Sequence, residues 1–390
     1  MKQTIKLQRG VTAWVILLIL AGLAGYALQA SLKYPLNQSV MQKTLASLAL
    51  AQQALLAYAN QPLGVTQCEM NCQRPGDLPC PDRNNDGLAE TSCSNTARLG
   101  RLPWKTLGLG DIRDGSGERL WYAVSERYKN NPRMLPLNTE TAGSWSVIST
   151  SGIGWDATQG NGVVAVIIAP MQPLARKDGW VQQRNDTSAD GIKNYLDMAD
   201  LGDNASAVET SVNGFVQAPA SINFNDVVWP VTASTMHRQM QQQVLSEVKR
   251  ALRCSSSPCT ALPTAAAVED SSCLGAQSLT AGQCSPASSG LGRLPLDNAT
   301  QWPLALQHML NGDARHHWFQ QNGWREQVFY QPGSPRATVI MAGEKLPSQM
   351  RNTSLEKTNL AAYLEASTLQ KLQIPSAAAV ELVSNDSFER

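Results

Sequence analysis

Runs of lysine or arginine are missing from this 390-residue chain, and 32 basic residues against 31 acidic ones leave a formal net charge of +1. That balance excludes the basic footprint by which nucleic acid is bound. Catalytic signatures are missing as well. No Gly-x-Ser-x-Gly, His-Glu-x-x-His, Walker or dinucleotide fingerprint occurs, and the four histidines, His237, His308, His316 and His317, all lie in the second half. Adjacent residues such as His316 and His317 point in different directions from a strand or a helix and rarely chelate one ion. The sequence therefore predicts a non-enzymatic protein. Phenylalanine is scarce, with five residues against ten tryptophans, and large Trp side chains serve first as core and interface anchors. Cysteine is absent outside two short stretches, one holding Cys68, Cys72, Cys80 and Cys93 and the other Cys254, Cys259, Cys273 and Cys284.

What is present begins at the N-terminus. Lys2, Lys6 and Arg9 form a basic leader that ends at Gly10, and an uncharged apolar run follows from Val11 to Leu28. Roughly 18 to 20 apolar residues cross the ~30 Å hydrocarbon layer of a bilayer, so residues 11–30 are read as a single transmembrane segment. Only Lys33 follows closely, so the positive-inside bias keeps the leader, residues 1–10, in the cytoplasm and sends the rest of the chain across. A cleaved signal peptide with a site near Gly25-Tyr26-Ala27 and an uncleaved signal anchor are the competing readings. Beyond Pro35, Met41, Leu45, Leu48 and Leu55 mark one stripe of an amphipathic helix, predicted as a stalk over residues 31–60.

The remainder repeats itself. Gly100-Arg101-Leu102-Pro103 recurs as Gly292-Arg293-Leu294-Pro295, and Asp114-Gly115 with Glu118-Arg119-Leu120-Trp121-Tyr122 recurs as Asn322-Gly323 with Glu326-Gln327-Val328-Phe329-Tyr330. The apolar run Val163 to Ala169 matches Ala337 to Ala342, and Asn194-Tyr195-Leu196-Asp197 matches Ala362-Tyr363-Leu364-Glu365. Met236, Met240, Val244 and Val248 step by four ahead of the second copy, a helix in the place of the stalk. The expected fold is α+β: a long N-terminal transmembrane and stalk helix, then two tandem duplicated modules over residues 61–225 and 226–390. A chain of this length exceeds one ordinary core. Strands are expected at Leu120 to Val124, Trp145 to Ser149 and Val163 to Ala169, the last apolar throughout as a strand covered on both faces would be. Neither cysteine quartet has zinc-ribbon spacing, and both fall outside the cytoplasm on the orientation argument, so disulfides within each quartet are expected. Three pairings per quartet are open.

Asp82, Asn84 and Asp86 stand at alternate positions before Gly87, with Glu90 three residues on. Hard cations take oxygens in this arrangement, and the loop is read either as an abbreviated calcium site or as a plain Asn-Asp-Gly turn.

Arg9-Gly10-Val11-Thr12-Ala13-Trp14-Val15 resembles the leader of type IV prepilins and type II secretion pseudopilins. Leu78-Pro79-Cys80-Pro81-Asp82, Gly100 to Leu109 and Gly117 to Ser125 look like a family of bacterial prepilin-type membrane proteins. The resemblance implies cleavage between Gly10 and Val11 by a prepilin peptidase, other pilin-like subunits as partners, and a place in the inner membrane or on the surface without known catalysis. Val15 stands where that family has glutamate. The expected function is a minor pilin or pseudopilin-like component. The alternative is an anchored periplasmic module that binds cell-wall glycan or another extracytoplasmic ligand.

Overall fold

The computed structural model describes residues 38–61, 74–133, 136–152, 154–184, 189–208, 214–252, 264–271, 274, 284–294, 317–332, 337–373 and 387–389. The leader with Gly10 and Val11, and the apolar segment, lie outside them. The first described element is a helix, α1 (residues 38–59). Its buried positions are Thr44, Leu48, Ala51, Leu55 and Ala59, steps of three and four that define one helix face. Met41 and Leu45, expected on that stripe, are 39% and 40% exposed. At its start the helix lies very close to the chain beneath it. The Gly115 amide donates to Thr44 Oγ1 at 2.9 Å, and Ser47 Oγ donates to the Arg113 carbonyl at 2.7 Å. A Cβ on Gly115 would sit 2.0 Å from the Val40 carbonyl oxygen.

The expected long transmembrane and stalk helix is therefore corrected. No described helix is long and apolar enough to cross a membrane, and the described helices are otherwise short, apart from α2 (Ala233–Leu252). Residues 38–59 are not a stalk standing off the head. They are part of its core, with Leu48, Ala51 and Leu55 fully buried among sheet residues.

The fold is mixed α+β. One four-stranded antiparallel sheet has the order β1 (Leu99–Arg101), β2 (Trp121–Val124), β4 (Ala165–Ala169), β8 (Val227–Val231). A second has the order β9 (Gly292–Arg293), β10 (Val328–Gln331), β11 (Thr338–Met341), β12 (Ser387–Glu389). The matched motifs occupy the same register in both: Gly100 faces Tyr122 and Arg101 faces Trp121, while Gly292 faces Tyr330 and Arg293 faces Phe329. The glycines have a common reason. A preceding segment bridges each first strand, with Asp82 and Arg101 exchanging backbone bonds of 2.8 and 2.9 Å and Ala266 and Arg293 doing the same. A Cβ on Gly100 would meet the Asp82 carbonyl at 2.8 Å, and one on Gly292 the Ala266 carbonyl at 2.0 Å.

Strand β4 is buried along its whole length, and its alternate side chains divide between two clusters. Ala165, Ile167 and Ala169 join Tyr122 and Val124 on the face toward α1, while Val166 and Ile168 join Trp121 and Ala123 on the other. This is the two-residue strand period acting in a sheet covered on both sides. The far face is closed by the parallel pair β3 (Ser146–Ser149) and β7 (Gly214–Gln217), which bring Trp145, Val147 and Phe215. A two-stranded ribbon, β5 (Met198–Ala199) and β6 (Gly202–Asp203), lies beside β7.

The near face does not end at the first sheet. Leu48 and Leu55 of α1, Met240, Val244 and Val248 of α2, and Val328, Tyr330 and Met341 of the second sheet belong to one hydrophobic cluster. Polar bonds stitch the same seam. Asn322 Oδ1 accepts from Arg74 Nη1 at 3.0 Å and from the Leu137 amide at 2.8 Å, and Thr139 Oγ1 donates to Gln327 Oε1 at 2.8 Å. His237, buried in α2, has Nδ1 at 2.7 Å from Glu344 Oε1 and Nε2 at 2.9 Å from the Tyr128 hydroxyl.

Candidate functional site

The duplicated Gly-Arg-Leu-Pro and x-Tyr-Leu-x motifs meet in space. Arg101 lies 4.9 Å from the Trp121 ring and 4.7 Å from the Tyr195 ring, and Arg293 lies 5.7 Å from Phe329 and 5.4 Å from Tyr363. A second arginine covers each tyrosine: Arg184 at 5.0 Å from Tyr195 and Arg351 at 4.6 Å from Tyr363. A guanidinium stacked on aromatic faces in a partly dry setting contributes about 0.5 to 2 kcal/mol. Both copies share this arrangement, so it belongs to the architecture.

The first copy adds charge around it. Asn85, Arg101, Arg113, Glu118, Arg119, Arg184 and Tyr195 line a pocket of about 270 Å³. Arg113 and Arg119 are held side by side by Asp111: Arg113 Nη2 lies 2.7 Å from Oδ2, and Arg119 Nε lies 2.8 Å from Oδ1. The Arg119 bond, aided by Arg113, holds the Asp111 carboxyl below the usual range. Arg119 Nη1 also donates to Asn85 Oδ1 at 2.7 Å and to the Asn85 carbonyl at 2.9 Å. Arg184 Nη2 donates to the Pro170 and Met171 carbonyls, and Nη1 donates to the Asn194 carbonyl. Glu118 faces Arg184 Nε at 3.7 Å, an ion pair too long for a hydrogen bond. Burial raises the Glu118 carboxyl above its ordinary range and lowers the Arg184 guanidinium, in each case against the other's opposing charge.

The proposed calcium residues lie in one loop beside this pocket. Asp82 is buried and its carboxylate accepts from the Asn85 and Gly87 amides, each at 2.7 Å. Asn84 Oδ1 accepts from the Asp86 amide at 3.1 Å, Asp86 Oδ1 from the Leu88 amide at 2.7 Å, and Glu90 Oε1 from the Arg83 amide at 3.2 Å. The Lys105 ammonium donates to the Asp86 carbonyl. The fit to calcium is partial: the four residues are together, yet a cation already occupies the carbonyl side of the turn. Among the described residues, no group of three or more His, Cys, Asp or Glu side chains is arranged to hold a metal.

Cys80 and Cys93 form a disulfide with Cα atoms 5.7 Å apart, which ties this loop to the start of the first sheet. Cys284 is disulfide-bonded too. Cys68, Cys72, Cys254, Cys259 and Cys273 lie outside the described residues, as do His308 and His316. Trp121, Trp145 and Trp324 are fully buried. Asp114 is buried and capped by the Ser116, Glu118 and Met171 amides at 2.8, 3.0 and 2.9 Å.

Sequence reading missed the arginine pocket because its members come from five separate stretches, at residues 85, 101, 113–119, 184 and 195. One signal was available: Arg113 and Arg119 stand where the second copy has Gln321 and Gln327. The chain matches no protein-family model, no curated protein and no solved structure.

Proposed function

We propose that this chain is a non-enzymatic structural subunit, a minor pilin or pseudopilin-like component of a type IV pilus or type II secretion-type assembly. The apolar segment 11–30 anchors it in the bacterial inner membrane, with the described residues on the far side. The observation that carries this reading is the docking of α1. The helix nearest the apolar segment is locked to the head through Leu48, Ala51 and Leu55 and through Gly115 against Val40. A first helix that serves as packing surface for a globular head suits a subunit of the resembled kind. The oxidised Cys80 and Cys93 suit an extracytoplasmic compartment.

Val15 places the subunit at an end. In a filament of the resembled kind, glutamate at that position meets the free amine of a neighbour, and a charge left unpaired among apolar helices is costly. A chain with Val15 can give its own amine to a neighbour's glutamate but cannot receive one. Immunogold labelling of sheared filaments is expected to find the protein at one end in few copies. Label along the shaft would overturn the end position, and absence from every filament preparation would overturn the subunit reading in favour of the anchored binding module.

A further inference from the structure

We propose that the arginine-lined pocket of the first repeat is a binding site for a phosphate-class dianion, either free phosphate or the terminal group of a phosphate monoester. Such a site does not depend on the subunit reading above. Among the described residues its lining holds four guanidiniums, those of Arg101, Arg113, Arg119 and Arg184, and the carboxylate of Glu118. Asp111 offsets part of the Arg113 and Arg119 charge from the rim, Asp197 and Asp226 act on Arg184, and Asp114, beneath the turn, accepts from three backbone amides.

Donor capacity points the same way. An arginine carries five N–H groups. Arg113 directs Nε and Nη2 at Asp111 and one Nη1 hydrogen at the Gly117 carbonyl, which leaves one hydrogen on each terminal nitrogen. Arg119 retains one on Nη2 after its bonds to Asp111 and Asn85. The Arg184 side chain is 9% exposed and its Nε has no hydrogen-bond partner, since Glu118 stands 3.7 Å away. Guanidiniums approaching from separate segments match a tetrahedral, doubly charged group better than a planar, singly charged carboxylate.

The second repeat acts as an internal control. Arg293 and Arg351 stack on Tyr363 as Arg101 and Arg184 stack on Tyr195. Gln321 and Gln327 replace Arg113 and Arg119 there, and Gln327 turns its Oε1 to Thr139. The shared architecture therefore does not need Arg113 or Arg119. Their charge is specific to the pocket.

The test is calorimetric titration of the full chain in a neutral detergent with inorganic phosphate and, separately, with glycerol 3-phosphate. Two variants of opposite charge effect are compared after thermal melts have verified their folds. Binding of the parent to at least one of the two probes is expected, and response to both would place a monoester in the site. Arg113→Gln, at a side chain 42% exposed, is expected to weaken binding about tenfold by removing charge-assisted bonds, while Glu118→Gln strengthens it by removing a repelling carboxylate from the lining. No heat with either probe at millimolar concentration, or binding that both variants leave unchanged, would overturn the proposal.

Discussion

Replacing Asn322 with alanine is expected to lower the unfolding free energy by about 3 to 5 kcal/mol, because buried donors lose their acceptor and each stranded group costs ~1 to 3 kcal/mol, more when charged. The Asn322 side chain is fully buried at the seam between the repeats. Its Oδ1 receives Arg74 Nη1 and the Leu137 amide, and its Nδ2 donates to the Trp318 carbonyl at 2.7 Å. Arg74 is the charged donor of the two: burial already lowers its guanidinium pKa, and the substitution removes the Asn322 acceptor from its Nη1. Asp114, at the matching place in the first repeat, bonds to the Ser116, Glu118 and Met171 amides of its own repeat. The loss at Asn322 is therefore a loss of the joint. Urea unfolding followed by Trp fluorescence and by circular dichroism is expected to show one common midpoint in the parent, displaced downward in Asn322→Ala. Two separate midpoints in the parent would mean that the repeats unfold independently despite their common core.

Asp226→Asn is expected to raise the melting temperature at neutral and alkaline pH and to lose that advantage near pH 4. Asp226 is 4% exposed. Its Oδ2 accepts from the Asp197 amide at 2.8 Å and from Asn204 Nδ2 at 2.9 Å, while its Oδ1 has no partner. Burial first, then repulsion from Asp197, pushes the Asp226 carboxyl well above its ordinary range; burial also raises Asp197. The folded protein thus binds a proton that the unfolded chain releases near the ordinary aspartate value of about 3.9. Its stabilising contribution is complete below that value and is lost as pH rises toward the folded pKa. Asparagine supplies the neutral form at every pH. The gap between variant and parent should widen from pH 4 upward, and a constant gap would mean that Asp226 is ionised throughout.

Much of the strand pattern was legible in the sequence. The runs around Leu120, Trp145 and Val163 became β2, β3 and β4, because alternating or continuous apolar residues have few other ways to be buried. The Cys80–Cys93 bridge lies within one quartet. The α1 face departs from the apolar stripe at its start for a physical reason: apolarity favours Met41 and Leu45, while close approach at Gly115 puts Thr44 inside. Spacing shows that a helix is amphipathic, but the size of what it packs against decides which residues go inside. The single cluster joining Leu48, Val244 and Tyr330 was illegible because repeats suggest separate units and do not reveal which faces they share. The pocket was hidden in the same way, since Arg184 and Arg113 are far apart in the chain and line one cavity with Tyr195 and Glu118.

The reading of this chain as a pilus-type or secretion-type subunit is tested most directly by its mature N-terminus. Intact-mass analysis of the protein extracted from membranes of a cell with active prepilin peptidase is expected to show a chain that begins at Val11, with Met1 to Gly10 removed. Retention of all ten leader residues, or cleavage near Ala27, would contradict that reading.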